Sequence, residues 1–287
     1  MKGGHPAPPA EPRRREAVRL ACGQLASGEQ GTLPVDPLAL AAELGYEVLT
    51  MTGLAERERE NPREYIRHTV GEEAFTVSAR DRFRRYLVVY DDSVTAPERI
   101  RFSLFHEFGH IGMGHLDQWD LTALSRSETL ALEEEANIFA RTMLCPPPVA
   151  ELVRGDWRDR KWARLFCMSG SAWEIRVKTM EEDRRLIDQG TADRVRARFR
   201  EYMFGRRCRE CGLVFTDEAR QDRCPGCGSR FLVWNPRMES RAEAGSHRHA
   251  AWVSAEDLAP RIGGLREPDL TKWWELARNE PAGSRKR

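Results

Sequence analysis

The segment RFSLFHEFGHIGMGHLDQ, Arg101 to Gln118, carries three histidines and a glutamate in a run whose other residues suit a buried helix. Polar side chains on an apolar helix face cost free energy unless something pairs with them, and a metal ion is a natural partner for this set. His106 and His110 stand four residues apart, so on a helix both imidazoles leave the same face. Two nitrogens so placed can reach one tetrahedral zinc. Glu107 follows the first histidine, where its carboxylate can take a proton from a zinc-bound water. H-E-x-x-H on a helix is the zinc-peptidase arrangement. Chance occurrence on an ordinary helix is the competing reading. Against it stand the apolar flanks Phe102, Leu104, Phe105 and Ile111, and Gly109, which permits close packing.

Such a site needs a third protein ligand. His115 does not fit the spacing H-E-x-x-H-x-x-G-x-x-H: the glycines are Gly112 and Gly114, and the histidine falls one position short. It reads as a packing residue or a support behind the ligands. The other source is a glutamate of the next helix, where Glu133, Glu134 and Glu135 run together in ALEEEANIFA. Leu132, Ala136, Phe139 and Met143 mark that helix's apolar face. At about 100° per residue, Glu135 lies about 40° from Phe139, whereas Glu134 points away from the face. Glu135 is therefore the expected ligand, with Glu133 next in line.

A second constellation lies downstream. Cys208, Cys211, Cys224 and Cys227 form two C-x-x-C pairs, CREC and CPGC, each followed by glycine (Gly212, Gly228). Four thiolates in this pattern suit a closed structural zinc site in a zinc ribbon. Leu213, Val214, Phe215 and Phe231 are too few to hold the unit alone, so the metal would supply folding energy. Two dithiol pairs at this spacing argue against a redox motif. Metal-ligand spacing in place of a secreted disulfide framework implies a reducing setting, with the cytoplasm expected.

The chain of 287 residues has room for a main domain and smaller units. Lys and Arg number 46 against 45 Asp and Glu, so net charge points to neither a nucleic acid nor a membrane. No long uncharged apolar run suggests a membrane span. Residues 1–15, rich in Pro, Gly and Arg, read as a disordered leader. A helix follows in REAVRLACGQLAS, then one capped by Asp36 and ended by Gly45. Tyr46–Leu49, Ala74–Ser78 and Tyr86–Tyr90 read as strands, the last two as a hairpin, with Met51–Gly71 a loop. Thr95-Ala-Pro-Glu98 looks like a capping box for the motif helix. SETLALEEEANIFARTML is a further helix, stopped by Pro146–Pro148. Residues 157–182 read as helix, turn at Ser169-Gly170, and helix. Residues 183–207 are a basic helical linker, 208–234 the ribbon and 235–287 an extension.

Together FSLFHEFGHIGMGH, EEEANIFARTMLCP and WARLFCMSGSAWEIRV resemble the ImmA/IrrE family of metallopeptidases, from about Asp36 to Glu182. Cys145 stands where that family more often has methionine, and the ribbon is an addition. The resemblance implies an α+β fold: a mainly helical, zincin-like core with a small β-sheet over residues 16–182, here with a small zinc-ribbon domain. It implies Glu107 as catalytic base, His106, His110 and Glu135 as ligands of a catalytic zinc, and a helix-turn-helix repressor as protein substrate in a mobile-element or stress circuit. No residue declares itself as the oxyanion donor; Tyr65, His68 and His115 are candidates. The competing expectation is a nucleic-acid-binding regulator with an idle core, using the ribbon and the arginines of RRLIDQGTADRVRARFREYMFGRRCR, including Arg194, Arg196 and Arg198. The presence of Glu107 beside every expected ligand favours the enzyme.

Overall fold

Asp36 opens its helix by accepting hydrogen bonds from the backbone N–H groups of Leu38 and Ala39, with Pro37 in the first turn and Gly45 closing it. The computed structural model describes residues 7–58, 73–79, 85–153, 155–219 and 221–234. Its N-terminal part runs α1 (Arg14–Ser27), α2 (Pro37–Leu44), β1 (Glu47–Thr50), α3 (Met51–Glu58), β2 (Ala74–Ala79) and β3 (Arg85–Tyr90). The motif helix α4 (Pro97–Gly112), the short α5 (His115–Gln118), α6 (Arg126–Leu144) and the single turn α7 (Pro147–Ala150) follow. A 3-10 turn at Arg160–Arg164 leads to α8 (Gly170–Arg185) and α9 (Gln189–Phe204). Strands β4 (Gly205–Cys208), β5 (Val214–Thr216) and β6 (Leu232–Trp234) complete the described chain. The described residues form an α+β fold, mainly helical, with two small sheets.

The first sheet has the order β1-β3-β2, with β3 parallel to β1 and antiparallel to β2. Strand β3 is the central one, and its side chains alternate between two cores as a period of two requires. Leu87 and Val89 meet Met51, Leu54 and Phe75, while Val88 and Tyr90 join the main core. That is why RYLVVY is apolar at successive positions. Residues 51–58, expected as loop, are the helix α3, whose Met51 and Leu54 cover one face of the sheet. The remainder of that expected loop, and the hairpin turn at residues 80–84, lie outside the described residues.

Helices α4 and α6 pack together, and α6 also receives α1, which in turn contacts α9. Gly109 makes the first contact close: a Cβ there would stand 2.9 Å from the Ala136 Cα. Arg101, one turn and a half before His106, ties α4 to the segment beyond α7. Its buried guanidinium donates to the carbonyls of Phe166 and Cys167 at 2.8 and 2.9 Å, and to that of Val35 at 2.9 Å. Charge-assisted bonds of this kind are worth about 1.5–3 kcal/mol each, enough to hold a buried cation among carbonyls.

Several sequence expectations need correction. The motif helix has Ala96 at its N-cap with no side-chain bond, so Thr95 and Glu98 form no capping box; Pro97 alone sets the first turn. The capping box belongs to α6, between Ser125 and Glu128. Residues 157–168 contain a 3-10 turn where a helix was expected, so the helix-turn-helix-like end has one full helix, α8. The basic stretch is no linker: Val195, Phe199, Tyr202 and Met203 of α9 are buried in the main core, and the Tyr202 hydroxyl donates to the Leu33 carbonyl at 2.8 Å. The expected leader is ordered at its end, since α1 starts at Arg14 and Arg13 reaches the interior. Residues 1–6 and the extension 235–287 lie outside the described residues.

Candidate metal centre

On α4, His106 and His110 project from one face, and their Nε2 atoms lie 3.1 Å apart. The Glu133 carboxylate of α6 closes the triangle, with Oε2 3.2 Å from His106 Nε2 and Oε1 3.5 Å from His110 Nε2. A tetrahedral site with zinc–ligand bonds near 2.0–2.1 Å has ligand–ligand edges of about 3.3 Å. The three donors fit that size, and two imidazoles with a carboxylate are a zinc-type donor set.

The third member is Glu133 and not Glu135. Helical phase selects Glu135 only if the centre of α6's apolar face is the side turned to α4. In fact α6 is packed on two sides, by α4 and by α1. Ala136 meets Gly109 on the α4 side, which brings Glu133 and Asn137, one turn apart, alongside His106. Asn137 Oδ1 lies 3.0 Å from His106 Nδ1. Glu135 is buried on the other side, where Arg13 and His115 hold its carboxylate. Glu134 pairs with Arg141 near the surface, as its helical phase predicts.

Behind the triangle stands His115. Gly114 adopts a left-handed φ of +74°, a conformation that favours glycine. This reversal between α4 and α5 swings His115 back under His110, their Nδ1 atoms 2.9 Å apart. His115 is fully buried and faces away from the ligand triangle, so it supplies neither a third ligand nor an oxyanion donor. Tyr65 and His68 lie outside the described residues.

Electrostatics follow the packing. Burial, reinforced by the neighbouring His106, pushes the His110 imidazole down to about 3, leaving it neutral as a metal ligand must be. For His106 burial pulls the same way, but the hydrogen bond to Glu133 and the charges of Glu107 and Glu133 outweigh it and raise the imidazole above its ordinary value. The Glu133 carboxyl is held below the usual range: burial acts against this, and the His106 hydrogen bond and His110 overcome it. Glu107 is buried, and its Oε2 accepts a 2.6 Å bond from the Thr76 hydroxyl on β2. Thr76, Asn137 and Arg13 are neighbours of these side chains that sequence reasoning missed. Of these only Asn137 left a signal, its four-residue spacing from Glu133.

The family model of the IrrE N-terminal-like domain (Peptidase_M78) matches residues 63–186. Over this stretch the chain is similar to the ImmA/IrrE family. This family is metal-dependent and peptidase in type, and the matched stretch contains His106, Glu107, His110 and Glu133. No curated protein matches the chain. The ImmA/IrrE match ends before the four cysteines, so the ribbon stands outside it.

In that ribbon, β4 lies between β5 and β6 and is antiparallel to both. Gly212 and Gly228, with φ of +74° and +73°, close the two cysteine turns. Cys208 Sγ lies 3.6 Å from Cys227 Sγ, and Cys211 Sγ 3.6 Å from Cys224 Sγ. All four sulfurs fall within 4.8 Å of one another. A tetrahedral thiolate site with bonds near 2.3 Å has edges of about 3.8 Å, so the cluster is of the right size for zinc. Among the described residues no helix is long and apolar enough to cross a membrane.

Proposed function

We propose that this chain is a zinc-dependent endopeptidase with a structural zinc ribbon. The convergence of His106 Nε2, His110 Nε2 and the Glu133 carboxylate, with Glu107 next to the first histidine, carries the reading. Zinc bound there would lower the pKa of a water toward about 7 and polarise a peptide carbonyl. His106, His110 and Glu133 would hold it, and Asn137 orients the His106 ring. Glu107 acts as general base and then as general acid toward the leaving amine. Thr76 donates to one Glu107 oxygen and so fixes the orientation of the carboxylate.

The proposed substrate class is a protein, and within it a helix-turn-helix repressor, supported by the family likeness. The competing nucleic-acid reading loses ground to the pairing of several arginines of that stretch with acids. Arg196 is engaged by Glu151 and Asp193, Arg200 by Glu218 and Arg206 by Asp217. Metal analysis of purified protein should find two zinc ions per chain. Glu107→Gln should keep both while hydrolysis of peptides from denatured casein, or of a co-expressed repressor, falls by about 10²–10⁴-fold. Unchanged hydrolysis in Glu107→Gln would refute the assignment of the base.

A further inference from the structure

Glu135 and His115 are both fully buried and both outside the ligand triangle. Their contacts form an unbroken line. Glu135 Oε1 accepts from the Arg13 backbone N–H at 2.7 Å and from Arg13 Nε at 3.0 Å; Oε2 accepts from Arg13 Nη2 at 2.8 Å. Oε2 also lies 2.9 Å from His115 Nε2, and His115 Nδ1 lies 2.9 Å from His110 Nδ1. Arg13 itself rests over the Trp119 ring, 5.3 Å from its centroid, and Trp119 lies beside His115.

We propose that Arg13, Glu135 and His115 are positioning residues that fix His110 in the tautomer with a bare Nε2. The inference rests on the metallopeptidase reading above. Its direction follows from donor chemistry. Arginine only donates, so the Glu135 oxygens are acceptors, and His115 Nε2 must carry the proton of its bond. His115 Nδ1 is then the acceptor, and His110 Nδ1–H donates to it. The His110 Nε2 lone pair is left facing His106 Nε2 and Glu133. Asn137 sets the other ligand in the same sense, since its Oδ1 accepts from His106 Nδ1–H. Metal-bound histidines commonly donate their second N–H to a carboxylate or carbonyl, which fixes ring and tautomer. Here a second histidine is interposed, and the carboxylate is anchored by the residue that opens α1, 122 positions away in sequence. The start of the chain's first helix thereby becomes part of the metal site.

The test uses the full chain with the ribbon loaded, and zinc as the probe. Zinc affinity at the histidine site is measured by chelator competition in wild type, Arg13→Met, Arg13→Lys, Glu135→Gln and His115→Phe. His115→Phe and Glu135→Gln should each weaken zinc by about 10–100-fold. Arg13→Met should weaken it less, and Arg13→Lys should restore part of that loss. A purely structural role would lower the unfolding midpoint without moving affinity. Should a variant fail to fold, ¹⁵N-histidine spectra of zinc-loaded wild type still decide: the proton of His115 should sit on Nε2 and that of His110 on Nδ1. A His110 proton on Nε2, or zinc affinity equal to wild type in every variant while a His106→Ala, His110→Ala double variant loses its ion, overturns the chain and leaves the peptidase reading standing. Absence of zinc from the wild-type histidine site overturns both.

Discussion

The two candidate metal centres are built in opposite ways. The histidine–carboxylate centre takes its ligands from two helices, α4 and α6, locked together at Gly109 and Ala136 inside the main core. Its geometry is imposed by apolar packing, and residues behind it orient each ring. The cysteine centre takes its candidate ligands from the end of β4 and from the turns between three short strands. Leu213, Val214 and Phe231 around it are 39%, 62% and 66% exposed. Little apolar burial is available there, so a metal held by the four thiolates would supply the cohesion. A metal can thus be a guest in one part of a chain and a structural necessity in another, and what decides is how much core surrounds the ligands.

Removing metal should expose the contrast most strongly. A structural zinc contributes an apparent ~10–16 kcal/mol to a small unit of this kind. A strong chelator at pH 7 should therefore abolish hydrogen-exchange protection over residues 205–234 while α4 and α6 keep theirs. Equal loss, or equal retention, in both regions would remove the distinction.

A smaller effect probes the packing that makes the first centre independent. In Gly109→Ala the new Cβ would meet backbone atoms of Ala136, at 2.9 Å from Cα and 3.2 Å from the carbonyl oxygen. Overpacking of that kind costs about 1–3 kcal/mol, against a gain of up to about 1 kcal/mol for replacing glycine within a helix. The thermal midpoint of the helical unit should fall, and zinc affinity at the histidine site with it, because Glu133 rides on the displaced helix. The ribbon's exchange protection should not change. A midpoint equal to wild type would mean the α4–α6 contact is looser than the structure shows.

The smallest effect concerns thiols. Burial pushes Cys22 and Cys145 each up to about 12. A raised thiol pKa keeps the unreactive protonated form below that value, and reactivity grows only as pH climbs toward it. At pH 8 an alkylating reagent should spare both residues whether or not metal is present, while the ribbon cysteines become reactive once metal is removed. Rapid labelling of Cys22 or Cys145 in the metal-free chain would show that chelation opens the main core as well.

Much of this molecule was legible along the chain because the relevant physics is local. Helical periodicity alone puts His106 and His110 on one face. Asp36, Pro37 and Gly45 delimit α2 by capping, and the C-x-x-C-G spacing writes out both ribbon turns. Local rules failed where two elements competed for one signal. Thr95 and Glu98 have the capping-box pattern, yet Pro97 and the entry from β3 start the helix one residue later, at an uncapped Ala96. Met51–Glu58 is weakly patterned because a short helix resting on one face of a small sheet needs only a few apolar contacts.

The sequence by itself determined the motif helix, the placing of His106, Glu107 and His110 on it, and the paired cysteines. Only the tertiary structure decided which of three consecutive glutamates joins them. That choice depends on α6 being wedged between α4 and α1: wedging makes two faces of one helix interior, and periodicity cannot say which faces the histidines. The same holds for Thr76 against Glu107 and for Arg13 against Glu135. Those partners are separated by 31 and 122 positions, and no rule of neighbouring residues joins them. They meet because burying a carboxylate requires a donor beside it, and only the folded chain determines which donor is near.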